Sequence, residues 1–151
     1  MAKKSGDTNY NTNLASEYLM MSLLSRAGKD AYLSLGNKKG VDIIIKTKKG
    51  AICVLEVKGV NKNDDWLIGN KGILPSLPNM FYALVGFEGK ISDVVAPAKF
   101  YLIPSEVLNK EGEFKKSKNE KTIYLSHKYI RDNYHEYLNT FASLEFYLEN
   151  N

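Results

Sequence analysis

Asp42, Glu56 and Lys58 are the residues of this chain whose types and spacing can do chemistry together. They lie in Gly40-Val41-Asp42-Ile43-Ile44-Ile45-Lys46-Thr47-Lys48-Lys49-Gly50-Ala51-Ile52-Cys53-Val54-Leu55-Glu56-Val57-Lys58-Gly59. Two β-branched apolar runs joined by Lys-Lys-Gly are the signal of a hairpin. With a three-residue loop and Gly50 in the left-handed position, Thr47 faces Ala51, and by the same count Asp42 faces Glu56. Strand side chains alternate, so Glu56 and Lys58 leave the same face. Two carboxylates and an ammonium then converge among Ile44, Ile52 and Val54. Partly buried acids need partners, which a metal ion or a lysine can supply. An Asp-Lys or Glu-Lys pair that merely fixes the sheet satisfies the same pattern. A loop one residue shorter pairs Asp42 with Leu55 and dissolves the arrangement.

Glu17 is a fourth candidate. From Asn11 to about Gly28 the periodicity is helical, through Leu14, Ala15, Tyr18, Leu19, Met20, Met21, Leu23, Leu24 and Ala27, with Thr12 or Asn13 as N-cap and Gly28 as the stop. The helical neighbours of Glu17 are Leu14, Met20, Met21 and Leu24, an apolar arc in which an unpaired carboxylate is costly. Glu17 either turns inward to a partner or, as a first-turn acid, complements the helix dipole and bends out to water.

The remaining elements must position these groups. Ala31 to Leu35 reads as a short strand, and Met80 to Phe87 and Lys99 to Ile103 as further strands. Both faces of the hairpin are mostly apolar, so the sheet is expected to be covered on both sides by helices or loops. Asn63-Asp64-Asp65 can cap a short helix carrying Trp66, Leu67 and Ile68, ahead of a loop marked by Gly69, Gly72, Pro75 and Pro78. Trp66 reads as a core plug rather than part of a lid. Ser105 to Leu108 begins a short helical turn, Lys110 to Lys121 is a charged, weakly structured loop, and Thr122 to Leu125 is a last strand. Residues 1–10 are expected as a flexible arm and 11–151 as a single domain, with a C-terminal helical segment over about 126–148, capped by Ser126 and broken near Asn139. His127 and His135 lack a metal-pair spacing and read as surface residues.

At 151 residues, 44% hydrophobic and 25% charged, the chain has the makings of one globular domain with a real core. No apolar run approaches the ~20 residues of a membrane span, and the polar N-terminus lacks the apolar core of a signal peptide. The single cysteine, Cys53, reads as a buried small hydrophobe in a reducing cytoplasm. Net charge is only +4, yet between Gly36 and Lys62 seven lysines (38, 39, 46, 48, 49, 58 and 62) stand against Asp42 and Glu56, a local +5. Such a cluster, with Lys38, Lys39 and Lys62 flanking the motif, can attract phosphate backbones, or can be the solvated loops of a lysine-guarded hairpin. No Ser/His/Asp arrangement, zinc-type cysteine pairing, Walker-type glycine loop or dinucleotide fingerprint is present.

Glu-x-Lys occurs three times, at Glu56, Glu88 and Glu113, and context selects among them. Glu88 leads into a glycine turn and Glu113 lies in a polar loop. Only Glu56 closes an apolar strand, has an acid placed opposite, and follows a helix bearing an apolar-arc Glu. In this order, Glu17, Asp42, then Glu56-Val57-Lys58, the sequence resembles the PD-(D/E)XK nuclease superfamily, nearest to its archaeal Holliday-junction resolvase branch, with Gly-Val-Asp where that family often has Pro-Asp. The resemblance spans about residues 13–59.

It implies a three-layer α/β/α, restriction-endonuclease-like core with a central mixed β-sheet. It also implies a Mg²⁺-dependent endodeoxyribonuclease (Mn²⁺ substituting) acting on DNA in repair, recombination or defence. Asp42 and Glu56 would hold the metal, the carbonyl of Val57 would complete the coordination, Lys58 would position the nucleophile or touch the phosphate, and Glu17 would be an outer ligand. Phosphodiester hydrolysis needs those parts: an activated water, neutralised phosphate charge, and help for the leaving oxygen. The alternative is a catalytically silent module of the same fold that binds nucleic acid or a protein partner. The aromatic-rich C-terminal segment can serve as core or as a homodimer surface.

Overall fold

The Lys48-Lys49-Gly50 connection closes the hairpin as its residue types require. Gly50 adopts a left-handed conformation, φ 84°. The Thr47 amide donates to the Ala51 carbonyl at 2.9 Å, and Thr47 Oγ1 accepts from the Ala51 amide at 3.0 Å. In the computed structural model, which describes residues 5–35, 40–70, 74–111, 114–116, 118 and 122–151, the strands so joined are β2 (Ile43–Lys46) and β3 (Ile52–Val60), with β1 (Ala31–Leu33) outside β2. Ile43 pairs with Leu55, Ile44 with Val54, Ile45 with Cys53 and Lys46 with Ile52, which is the register of the three-residue loop.

On its other side β3 pairs in parallel with β5 (Met80–Gly86), and β5 pairs antiparallel with β6 (Lys99–Pro104). The result is a mixed five-stranded sheet of order β1-β2-β3-β5-β6. A second, three-stranded antiparallel sheet has the order β4 (Trp66–Asn70), β8 (Thr122–Leu125), β7 (Phe114–Lys116). Strand β5 is buried along its whole length because it feeds two cores. Phe81, Ala83 and Val85 enter one with Met20, Leu24 and Leu144, from helices α1 (Ser5–Arg26) and α4 (Ala142–Asn150). Met80, Tyr82 and Leu84 enter the other with Trp66, Ile68, Ile123 and Leu125, and with Leu108 and Ile130 from α2 (Ser105–Glu111) and α3 (His127–Asn133). The protein is therefore α/β with helices on one face of a mixed sheet, and a small sheet plus two short helices on the other.

Several segments differ from what local sequence suggests, each for a tertiary reason. Trp66 to Ile68 is strand rather than helix: Trp66 and Leu67 pair with Leu125 and Tyr124 of β8, and Ile68 lies at a bulge before Gly69 pairs with Ile123. Asp65 caps a different element, its Oδ1 accepting the His127 amide at 2.9 Å. Trp66 is 1% exposed, and its Nε1 donates to the Val85 carbonyl at 3.1 Å, so it is a plug. His127 is half-buried, not a surface residue, and stacks on Trp66 with ring centroids 4.9 Å apart. Burial holds its imidazole below the ordinary histidine range. His135 is exposed.

Within the charged 110–121 stretch, Phe114–Lys116 forms β7. Helix α1 starts at Ser5, so residues 5–10, expected as an arm, are helical; residues 1–4 of that arm lie outside the described residues. Propensity does not explain the early start. Thr12 and Ser16 are buried, so the helix is anchored by packing from Thr12 onward, while Tyr10 is exposed. At the other end Gly28, φ 70°, stops it: the Gly28 amide donates to Ser25 and the Lys29 amide to Leu24, the paired bonds of a glycine C-cap. The C-terminal segment is interrupted after α3 by a 3₁₀ turn, His135–Tyr137, and by Asn139 at φ 52°.

Candidate active site

Strand β2 ends at Ile43, opposite Leu55, whereas β3 runs on to Val60. From Glu56 onward β3 has lost its antiparallel neighbour, and its backbone needs other partners there. Asp42 supplies one. Its amide donates to the Leu55 carbonyl at 2.9 Å, the residue that Ile43 already faces, so two residues of one strand oppose one of the other as in a bulge. Its carboxylate turns along β3, where Oδ2 accepts the Val57 amide at 2.6 Å. The hairpin register is the expected one through Ile43, but Asp42 does not continue the ladder to face Glu56. It caps the open edge of β3 beside Glu56.

Glu56 and Lys58 leave the face of β3 opposite to Leu55 and Val57, next to Tyr82 and Leu84 across the parallel pairing. Glu56 is buried, its side chain 8% exposed, and its Oε1 lies 2.7 Å from Lys58 Nζ. Glu56 Oε2 is also buried, with no hydrogen-bond partner among the described residues. Gly40, at φ 84°, lies close by: a Cβ there would stand 3.8 Å from Oε2, an ordinary contact distance. The neighbouring Tyr82 hydroxyl donates to the Pro75 carbonyl at 2.8 Å. Burial, then the Glu56 charge and a hydrogen bond with the Glu56 side chain, push the Tyr82 phenol well above its ordinary range. Lys58, 30% exposed, connects this buried acid to the surface.

Glu17 sits in mid-helix and half-buried. The earlier start of α1 removes the first-turn, dipole-complementing explanation, which holds only within a turn of the N-terminus. Burial, then the Asp42 charge, raise the Glu17 carboxyl above the ordinary carboxylate range, and Lys58 opposes them. Asp42 is also raised, by burial, against the Val57 hydrogen bond and the Lys58 charge. Thus Lys58 acts on Asp42 and Glu17 through its charge and on Glu56 by direct contact. Lys58 is the group that all three acids share.

They do not form a nest of three or more metal-type side chains, and no such group occurs among the described residues. A cation here would be held by two carboxylates at most, with a carbonyl and water making up the rest. That donor set suits Mg²⁺, which is commonly bound through one or two carboxylates and keeps several waters. The orphaned Glu56 Oε2 is the observation that favours a cation: a buried carboxylate oxygen without a donor is unfavourable until something positive reaches it.

The flanking lysines divide. Lys46, Lys48 and Lys49 lie at the loop end of the hairpin, six residues of strand or about 20 Å from Lys58. Lys62 is exposed just beyond the other end of β3. Lys38 and Lys39 lie outside the described residues. The local +5 is therefore not one patch. Reading the sequence alone missed Gly40 and Tyr82, which lie next to the Glu56 carboxylate. Neither has a local signature, because both act through the pairing of distant segments.

The solved structure of a bacterial homing endonuclease, I-Ssp6803I, is similar to this chain, with a TM-score of 0.53, 12% sequence identity, and coverage of 90% of this chain and 91% of that one. At that identity the likeness is one of fold, and it gives this chain a nuclease-like α/β core. No family model matches the sequence, nor does any curated protein.

Proposed function

We propose that this chain is a metal-dependent nuclease that hydrolyses DNA phosphodiester bonds, with its site at the C-terminal end of β3. The observation that carries the reading is Glu56, a buried carboxylate with one oxygen on Lys58 and the other without a donor among the described residues, beside an Asp42 already turned onto the same strand. Asp42 and Glu56 would hold Mg²⁺ or Mn²⁺ together with the carbonyl of Val57. Such an ion supplies phosphate charge neutralisation and a more acidic water.

The chain's own groups do the rest. Asp42 is fixed by the Val57 amide, so its free oxygen is oriented before anything binds. Lys58 has a flexible stem and one-third exposure, so its ammonium can move from Glu56 to a phosphate oxygen or an attacking water. Glu17, with its carboxyl raised by burial, acts as an outer group that orients water. The fold shared with a homing endonuclease supports an endonuclease on DNA, and the match of Glu17, Asp42, Glu56 and Lys58 to the PD-(D/E)XK pattern supports the same chemistry.

The Glu56–Lys58 pair at 2.7 Å favours one rival, a silent module in which the pair only fixes the sheet. Calorimetric titration with Mn²⁺ separates the two. The nuclease reading expects binding by the wild type that is lost in Asp42→Asn. A wild type that takes up no divalent ion defeats it.

A further inference from the structure

Gly59 follows Lys58 at the end of the candidate motif. It has no left-handed φ, so the turn chemistry that usually explains a glycine does not apply. The reason lies above it, in α1. A Cβ placed on Gly59 would stand 2.0 Å from Ser16 Oγ, 2.9 Å from Ser16 Cβ and 3.0 Å from the Thr12 carbonyl oxygen. Turning the Ser16 hydroxyl relieves only the first of these contacts. The other two belong to the helix backbone and its first side-chain carbon, which cannot rotate away. Ser16 is fully buried, and its hydroxyl donates back to the Thr12 carbonyl at 2.7 Å, so the residue presents little bulk to the strand. Helix α1 thus rests directly on the bare backbone of β3 at this one point. The next residue of the helix is Glu17, and the preceding residue of the strand is Lys58.

We propose that Gly59 and Ser16 form a seat that positions Glu17 against Asp42 and Lys58, making Gly59 a positioning residue of the candidate active site. The purpose of the seat rests on the nuclease reading; its geometry does not. A side chain at 59 forces α1 off the strand by several tenths of an ångström or more, and Glu17 moves with it. Displacements of about 1 Å in a catalytic constellation cost up to ~100-fold in rate. A glycine that served packing alone would weaken the fold and leave the relation between Glu17 and Asp42 intact.

The test is a double-mutant cycle that needs neither metal nor DNA. Unfolding by urea in EDTA is measured for Glu17→Gln, Asp42→Asn and the pair, in the wild-type, Gly59→Ala and Gly59→Ala/Ser16→Gly backgrounds. Two carboxylates near one another repel, so in the wild-type background each substitution stabilises and the pair gains less than the sum of the two. The seat predicts that this coupling disappears in Gly59→Ala and returns in part in Gly59→Ala/Ser16→Gly, where both Ser16 contacts are gone and only the Thr12 carbonyl, 3.0 Å away, remains. Coupling of unchanged size in Gly59→Ala overturns the proposal. If Gly59→Ala does not fold, Ser16→Thr, which adds a methyl on the same contact, is read in its place by the same criterion. In an active enzyme Gly59→Ala also lowers the nicking rate by about 10- to 100-fold. Coupling that vanishes in a protein that cuts nothing supports the seat and removes the nuclease reading, so the two failures are distinguishable.

Discussion

Replacing Lys58 by Met is the perturbation whose outcome the site geometry constrains most tightly. In the wild type Lys58 Nζ is the partner of Glu56 Oε1 at 2.7 Å, and Oε2 has none among the described residues. Without Lys58, a carboxylate only 8% exposed keeps, among the described residues, only the nearby Tyr82 hydroxyl. Breaking a fully buried ion pair from one side costs about 3–5 kcal/mol, and an exposed pair contributes ~0–1 kcal/mol. Lys58 is 30% exposed, which places this pair between the limits, at about 2 kcal/mol. Glu56→Gln is the milder change, on the order of 1 kcal/mol or less, because the freed ammonium can bend to water and a neutral amide is easier to bury. Glu56→Gln/Lys58→Met is therefore more stable than Lys58→Met alone. Guanidinium unfolding of the four proteins in EDTA measures this directly, with unchanged m-values as the check that one transition is being compared. Equal destabilisation by the two single substitutions, or coupling below about 0.5 kcal/mol, refutes the reasoning. The result also matters for function: activity lost in a Lys58 variant counts as catalytic only at temperatures where that variant is folded.

Further consequences follow from the same geometry. Because burial raises the Asp42 and Glu17 carboxyls, the stability these two groups contribute to the metal-free protein is lost as pH rises from the ordinary carboxylate range through their raised values; relative to the wild type, Asp42→Asn therefore raises the melting temperature more at pH values above that range than within it. Added Mg²⁺ raises the melting temperature of the wild type and not of Asp42→Asn, as expected for an ion bound only by the folded state. Gly50→Ala places a side chain at φ 84° and costs about 1–2 kcal/mol in thermal or chemical unfolding without touching divalent-ion binding. Lys62→Ala weakens binding of a short DNA duplex in fluorescence anisotropy and flattens its salt dependence, whereas Lys48→Ala/Lys49→Ala, at the far end of β3, changes neither.

Much of this architecture can be read from the chain because its signals are local. Lys-Lys-Gly sets the hairpin register, the unbroken apolar run from Met80 marks a strand buried on both faces, and Gly28 and Ser126 stop and start helices where their side-chain chemistry allows. What is not legible depends on partners remote in sequence. Trp66 to Ile68 carries capping residues ahead of it, and only the pairing with β8 makes it a strand. The bulge at Asp42 is hidden because the end of β2 relative to β3 is not a property of either segment. His127 is half-buried because Trp66, sixty-one residues earlier in the chain, covers one of its faces. Of the candidate site, the types and order of the four residues are visible early; the direction in which Asp42 turns, the burial of Glu56 Oε2 and the contact at Gly59 need the assembled sheet and helix.

The most direct measurement is nicking of supercoiled DNA by the purified protein. We expect the wild type to relax the plasmid with Mg²⁺ or Mn²⁺, to be silent in EDTA, and to lose activity in Asp42→Asn at a temperature where that variant is folded. Wild-type protein that leaves DNA intact with both ions, or an Asp42→Asn variant that cuts as fast as the wild type, contradicts the account.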